Sequence, residues 1–189
     1  MQPLDRQQQH QLLRLARRTL EQFVVDGARL ALDLGDPLLL QPAGCFVSLH
    51  RQGPEHQLRG CIGTFEARQA LVDNVAQMAI AAATRDPRFA PVTSDELPLL
   101  SIEISVLSPP QPTTAEQVRV GLHGLQITRG AWRGVLLPQV ATAQGWDRET
   151  FLASTCRKAG LPAEAWRQPQ TTIESFTAQV FSEADAPSS

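Results

Sequence analysis

The chain has 189 residues and a formal charge of −2, with 17 Lys and Arg against 19 Asp and Glu. This length suits one domain, or one domain with a smaller lobe, and 42% hydrophobic residues support a packed core rather than disorder. The charge balance argues against nucleic acids or anionic membranes as partners, because proteins that bind them usually carry a strong positive excess. The longest clean apolar run, 78–83, is far shorter than the roughly 20 residues of a membrane span, and the first residues lack a signal-peptide pattern. We therefore expect a cytoplasmic protein that does not contact the membrane.

The cysteines support the same compartment. Cys45, Cys61 and Cys156 are odd in number, widely spaced and contain no C-x-x-C motif. This pattern favours free thiols in a reducing compartment over a disulfide framework.

The first half of the chain predicts helix, hairpin, helix and strand. Asp5 and Gln8 resemble a capping box for a helix over 6–26, which ends at Gly27. An extended connection, 28–43, follows. Strand-like runs over 44–50 and 57–62 enclose turn residues and predict a β-hairpin. An Ala-rich helix over 69–84 stops before Asp86-Pro87, and the alternating run 99–107 predicts a strand with one buried face.

The second half predicts a hairpin, a helix and a final strand. The proline-rich run 109–112 predicts a loop, and a boundary between two lobes is expected near 108–114. A second hairpin is predicted over 125–137, a helix follows Asp147 and closes at Gly160, and an alternating strand covers 172–181. We expect the tail, 184–189, to fray. The order predicts an α+β fold, with a mainly antiparallel sheet and flanking helices.

The predicted pairing of the first hairpin places Cys45 and Cys61 on opposite faces of the sheet. We predict a register that sets Phe46 opposite Cys61 and Ser48 opposite Arg59, because a shift by one residue would turn Leu58 away from the core. In this register Cys61 lies on the outer face of the sheet. Cys45 points into the core, and Cys156 lies on the buried stripe of the late helix.

The surroundings of Cys61 suggest two interpretations. His50 lies on the same face, Arg59 would favour the thiolate, and Gly60 and Gly63 would let a ligand approach the backbone, which is typical of a nucleophile site. Alternatively, the glycines serve a bulge and Cys61 is a small packed residue.

The run Leu58–Thr64 (LRGCIGT) resembles the signature of the AMMECR domain family, whose bacterial members are called AmmeMemoRadiSam system protein A. The resemblance covers about residues 8–183 as a single domain and continues in further motifs of the same order, which lie at 78–83, 85–89, 102–109, 121–125, 136–140, 145–147 and 156–161. It implies an α+β fold of two unequal lobes with the Cys61 motif near the cleft between them. It also implies a Memo-like protein and a radical SAM protein as partners.

Five further residues are candidates for the same cleft. His123, which lies among glycines, is a candidate acid/base or ligand that would meet the thiol. Arg85, Asp86 and Arg88 could bind an anionic substrate, or they could form a simple ion-pair cluster at a helix end. Gln139, after a proline, could present its amide to the cleft.

Three functions therefore remain open at this point. The first is a binding protein of a Memo/radical SAM system that uses the cleft beside Leu58–Gly63 for a partner segment or a small molecule. The second is an enzyme with Cys61 as nucleophile, Arg59 lowering its pKa and His123 as acid/base. The third is a nucleotide or nucleic-acid binder, against which the net charge weighs. We expect neither a cofactor nor a metal, because the four histidines lack ligand spacing and no phosphate-binding glycine motif occurs.

Overall fold

A computed structural model describes residues 2–28, 35–53, 57–65 and 67–185. The α-helices are α1 (Arg6–Asp26), α2 (Leu71–Thr84), α3 (Pro138–Ala143) and α4 (Arg148–Lys158). The strands are β1 (Cys45–Arg51), β2 (Leu58–Thr64), β3 (Leu100–Leu107), β4 (Gln111–Pro112), β5 (Gly124–Arg129), β6 (Trp132–Leu136), β7 (Thr172–Phe176) and β8 (Ala178–Ser182). They form two four-stranded sheets, which confirms the predicted α+β class.

The chain divides into two compact units. The first comprises Met1–Leu107 and Gln179–Ser189, and the second comprises Ser108–Ala178. Within the described ranges, no helix is both long enough and apolar enough to cross a membrane.

In the first unit, α1 and α2 pack on a sheet of order β2-β1-β3-β8. The predicted capping box of α1 is present: Asp5 accepts from the backbone of Gln8, whose side chain accepts in return. Gly27 ends the helix at φ 68°, a left-handed conformation that glycine adopts without strain. Leu12, Leu13, Ala16 and Leu20, which recur at helical spacing, are buried against the core of this unit.

The first hairpin forms, but its predicted register is wrong by two residues. Ser48, not Phe46, lies opposite Cys61. The pairing shifts between Leu49 and His50, so Arg59 is the extra residue of a bulge. A shift of two residues keeps each side chain on its face, which is why the predicted outward position of Cys61 and inward position of Cys45 still hold. The described part of the predicted turn ends at Gly53, and residues 54–56 lie outside the described ranges.

Two strand predictions need correction. Strand β3 is buried along most of its length, including Ser101 and Ser105 on the face predicted to be polar and open. The predicted strand 172–181 breaks at Thr177 into β7 and β8, which belong to different sheets. The break changes the alternation, so Phe181 is buried and Val180 is exposed.

The second unit contains a sheet of order β4-β7-β5-β6. The predicted hairpin is β5–β6, whose turn includes Gly130 at φ 57°. Helix α4 covers the sheet, and its buried residues Phe151, Leu152 and Cys156 pack with Leu125 and Ile127. The loop predicted over 109–112 is wrong in part, because β4 lies inside this run. Helix α3, which begins at Pro138, was not predicted.

Candidate functional site

Cys61 is the accessible thiol among the three cysteines. Its side chain is half-buried, whereas Cys45 and Cys156 are fully buried. Burial raises the pKa of Cys45 to about 12, so that thiol stays protonated near neutral pH. Cys61 lies on β2, an edge strand, and the Ser48 hydroxyl donates a hydrogen bond to its Sγ at 3.2 Å.

A buried carboxylate holds the backbone of Cys61. The Cys61 N–H donates to Oδ2 of Asp86 at 2.8 Å instead of pairing with β1. Cys61 and Ser48 therefore form a non-hydrogen-bonded pair, the type in which opposite side chains approach most closely. Asp86 lies just after α2, whose C-cap is Arg85, because the following Pro87 prevents continuation of the helix.

Asp86 also binds Arg88. Its Oδ1 accepts from the backbone N–H and the Nε–H of Arg88 at 3.1 and 2.9 Å, and its Oδ2 accepts from the guanidinium at 2.6 Å. One carboxylate thus connects the strand that carries the thiol to a guanidinium. We call Cys61, Ser48, Asp86 and Arg88 the Cys61 cluster.

The charges of this cluster are coupled. Hydrogen bonds from the Arg88 side chain hold the pKa of Asp86 well below its usual range, so the carboxylate is ionised at any physiological pH. The pKa of Arg88 is raised, first by its hydrogen bond to Asp86 and also by the charges of Asp86 and Cys61. Arg88 is therefore a cation held on the carboxylate that also binds the Cys61 backbone.

Arg59, predicted to lower the pKa of the thiol, is directed elsewhere. The bulge turns this buried side chain toward Glu96, whose two oxygens each accept a hydrogen bond at 2.9 Å. Further donors reach the carbonyls of Ala90 and Pro91. These contacts lower the pKa of Glu96 to about 2, with the Arg59 hydrogen bond as the largest cause. Arg59 thus links β2 to the segment 90–96, which precedes β3, through hydrogen bonds and an ion pair.

Packing explains the two glycines that bracket Cys61. A Cβ on Gly60 would lie 2.2 Å from the carbonyl oxygen of Ala82, so this strand packs directly on the backbone of α2. A Cβ on Gly63 would lie 2.2 Å from the Phe46 ring. The protein itself thus approaches both positions closely, which supports the alternative interpretation that these glycines serve packing. Their predicted role in binding a ligand stays a prediction.

The open side of the cluster is cationic. The Arg88 side chain is 54% exposed despite its bonds to Asp86. Its guanidinium also lies 5.4 Å from the centre of the Phe89 ring, with Arg59 at 5.8 Å from the same ring. Arg85 is exposed and makes no side-chain hydrogen bond to another described residue. The half-exposed thiol therefore lies near the exposed Arg88 guanidinium, which can still bind an anion.

Comparison with known proteins agrees with the motif at this cluster. The AMMECR1 family model matches residues 13–181. The chain belongs to the AMMECR1 family. A Methanothermobacter thermautotrophicus protein is 44% identical, covering 96% of this chain and 97% of its own length. A Thermococcus kodakarensis protein is 42% identical, covering 91% and 88%.

A solved structure supports the fold as well. The crystal structure of an uncharacterised protein from Pyrococcus horikoshii is 40% identical to this chain. The similarity covers 91% of this chain and 89% of that one, with a TM-score of 0.81.

Two predicted site residues of this AMMECR1 family member lie in the second unit. His123 precedes β5, and its Nδ1 accepts from the backbone N–H of Arg119 at 3.3 Å. Partial burial lowers its pKa, as does the charge of Arg119. Gln139 is exposed on α3. The predicted meeting of His123 and Cys61 across a cleft stays a prediction.

Two important residues were missed from the sequence. Ser48 was placed on the correct face, but the register error set it opposite Arg59 instead of Cys61. Glu96 could have been noticed, because Thr93 and Glu96 have the spacing of a capping box and do form one. Among the described residues, no group of three His, Cys, Asp or Glu side chains could hold a metal ion.

Proposed function

We propose that this AMMECR1 family member is a binding protein, and that its ligand is a small anion bound at the Cys61 cluster beside Leu58–Gly63. The observation that carries the proposal is the position of Asp86, which joins the Cys61 backbone and the Arg88 guanidinium through one buried carboxylate. This arrangement fixes a guanidinium beside an accessible thiol, and guanidinium groups bind carboxylates and phosphates in two-pronged geometry.

The charges around the cluster also favour an anion. Arg88 and Arg85 are both exposed. The Asp86 side chain is only 2% exposed, and its charge is balanced by the Arg88 guanidinium. An anion can therefore reach the exposed Arg88 guanidinium, whereas the Asp86 carboxylate is buried behind it. The ordinary alternative, a helix-end ion pair with no ligand, would give the same contacts but no anion binding.

Isothermal titration calorimetry with citrate and with inorganic phosphate tests the proposal. We expect saturable binding by the full chain, at least about tenfold weaker binding by Arg88→Gln, and no change in Arg14→Gln, an exposed arginine on α1. Absence of saturable heat with both anions, or equal binding by Arg88→Gln, would contradict the proposal.

A Cys61-dependent enzyme is the second candidate, and the Ser48–Cys61 hydrogen bond favours it. A hydroxyl that donates to sulfur stabilises the thiolate more than the thiol, which would activate the nucleophile. Mass spectrometry can follow iodoacetamide labelling of Cys61 against pH in parent and Ser48→Ala protein, with Cys45 and Cys156 as buried internal controls. A midpoint near the reference of about 8.5 in both proteins would remove this candidate.

The biological partners are a further part of the proposal. The family resemblance of the Leu58–Thr64 motif supports a Memo-like protein and a radical SAM protein as partners. Co-purification from cells that express all three, with and without S-adenosylmethionine and under reducing or oxidising conditions, tests this. Absence of any complex would count against these partners without affecting the anion site, which the calorimetry measures independently.

A further inference from the structure

The second unit contains a cavity of about 620 Å³, and its lining includes no residue of the Cys61 cluster. This volume is within the range of small-molecule pockets, roughly 300–1,000 Å³. Its walls come from a short 3-10 helix (Ala115–Gln117), the first turn of α4, a second 3-10 helix (Ala163–Arg167) and the start of β7. The residues that define its chemistry are Glu116, Arg148, Glu149, Trp166, Arg167 and Ile173.

The charges that line the cavity are balanced, with two guanidiniums and two carboxylates. One of each is already paired: Arg167 donates to Glu149 at 3.0 Å and lies 4.3 Å from the centre of the Trp166 ring. The Glu116 carbonyl accepts from Arg148 at 3.2 Å, and neither side chain forms an ion pair within 4.0 Å among the described residues, although the Arg148 charge helps to lower the pKa of Glu116. Both side chains are exposed and available to a ligand with one negative and one positive group.

The two side chains without an ion pair, Arg148 and Glu116, lie on different elements: Arg148 at the start of α4 and Glu116 in the first 3-10 helix. Arg148 is the first residue of the eleven-residue helix α4, where the helix dipole adds to its positive charge. The pKa of Glu116 is lowered, first by a hydrogen bond from Thr114, so this carboxylate remains negative near neutral pH. Asp147 already caps this end of α4 and Glu149 is paired with Arg167, so Arg148 is the group here that can bind a ligand carboxylate. Glu116 is the group that can bind a ligand cation.

The remaining wall is apolar. Trp166 and Ile173 contribute an indole and an aliphatic surface. The indole N–H of Trp166 is buried and has no hydrogen-bond partner among the described residues. Because this nitrogen has almost no accessible surface, Trp166 contributes the apolar surface of its ring to the cavity wall rather than a hydrogen-bond donor.

We propose that this cavity binds a free α-amino acid with an apolar side chain. The carboxylate binds Arg148 at the first turn of α4, the ammonium meets Glu116, and the side chain packs on Trp166. The proposal is independent of the anion site in the first unit, because the two share no residue.

Nuclear magnetic resonance of the full chain labelled with nitrogen-15 tests the proposal with L-phenylalanine as the probe. The chain has three tryptophans, so the indole N–H signal of Trp166 is assigned by its loss in Trp166→Phe. We expect L-phenylalanine to shift this signal in a saturable manner, and 3-phenylpropionate and 2-phenylethylamine, which each lack one charged group, to bind at least about tenfold more weakly.

Three variants complete the test. Arg148→Gln and Glu116→Gln should each weaken L-phenylalanine binding by about tenfold or more, whereas Arg157→Gln, an exposed arginine at the other end of α4, should bind as the parent does. The proposal is overturned if L-phenylalanine causes no shift at concentrations on the order of 10 mM. It is also overturned if the singly charged analogues bind equally well, or if Arg148→Gln and Glu116→Gln bind like the parent.

Discussion

Replacing Asp86 with Asn should measure how strongly this carboxylate fixes the Cys61 cluster. Asp86 accepts one hydrogen bond from the Cys61 backbone and three from Arg88. A hydrogen bond to a charged group contributes about 1.5–3 kcal/mol, and the ion pair to the half-exposed Arg88 contributes at most about 1 kcal/mol. An Asn side chain keeps one acceptor oxygen, but its NH₂ group would face the N–H donors of Cys61 or Arg88 that now bind the second carboxylate oxygen. We therefore expect the free energy of unfolding to fall by about 2–4 kcal/mol.

Urea denaturation near neutral pH measures this loss, and Asp95→Asn is the matched control, because Asp95 is exposed and makes no side-chain hydrogen bond to a described residue. The pKa of Asp86 is depressed in the folded state, so its contribution is present above the unfolded pKa of about 3.9 and is lost as the pH falls toward the folded value. The difference between parent and Asp86→Asn should thus be constant above about pH 5 and should shrink below about pH 4. A loss under about 0.5 kcal/mol at neutral pH, within the range of ordinary surface substitutions, would refute the reasoning.

Three further substitutions test other parts of the account. Gly60→Ala should lower the free energy of unfolding, measured by urea denaturation, by at least about 2 kcal/mol, because the new Cβ would overlap a backbone carbonyl of α2. The control is Gly35→Ala, whose Cβ would have no atom within 4 Å and which should be neutral or slightly stabilising. Glu96→Gln should cost about 3–5 kcal/mol, because it leaves a buried guanidinium without its counterion; a loss under 1 kcal/mol would show that the pair does not fasten β2. Ser48→Ala should slow the labelling of Cys61 by iodoacetamide, because it removes the hydroxyl that donates to the sulfur, and should leave the free energy of unfolding nearly unchanged. An unchanged labelling rate would mean that the hydroxyl does not act on the sulfur.

The helices and the thiol positions were predictable, because their signals are local. The capping residues of α1 and the proline after α2 act within one turn of the chain, and hydrophobic alternation alone separated Cys45 from Cys61. The hairpin register was not predictable in the same way. Two registers that differ by two residues bury the same face, and the choice between them depends on the bulge at Arg59.

The site itself was only partly predictable. The sequence singled out Asp86 and Arg88 together with Cys61, but it could not show that Asp86 accepts the Cys61 N–H, since that contact joins positions 25 residues apart. It also assigned Arg59 to the thiol, whereas Glu96, on a segment packed beside β2, takes this guanidinium. Contacts between distant segments leave no periodic signal in one sequence, and the length of an arginine side chain allows several partners.

The most direct test of the central claim is protection of Cys61 by an anion. Labelling of Cys61 with iodoacetamide is followed by mass spectrometry in the presence and absence of citrate, in the parent and in Arg88→Gln. If the thiol and the guanidinium form one anion site, citrate will slow labelling in a saturable manner in the parent and will have little effect in Arg88→Gln. Equal labelling rates with and without citrate in the parent, at citrate concentrations that saturate calorimetric binding, would contradict the claim.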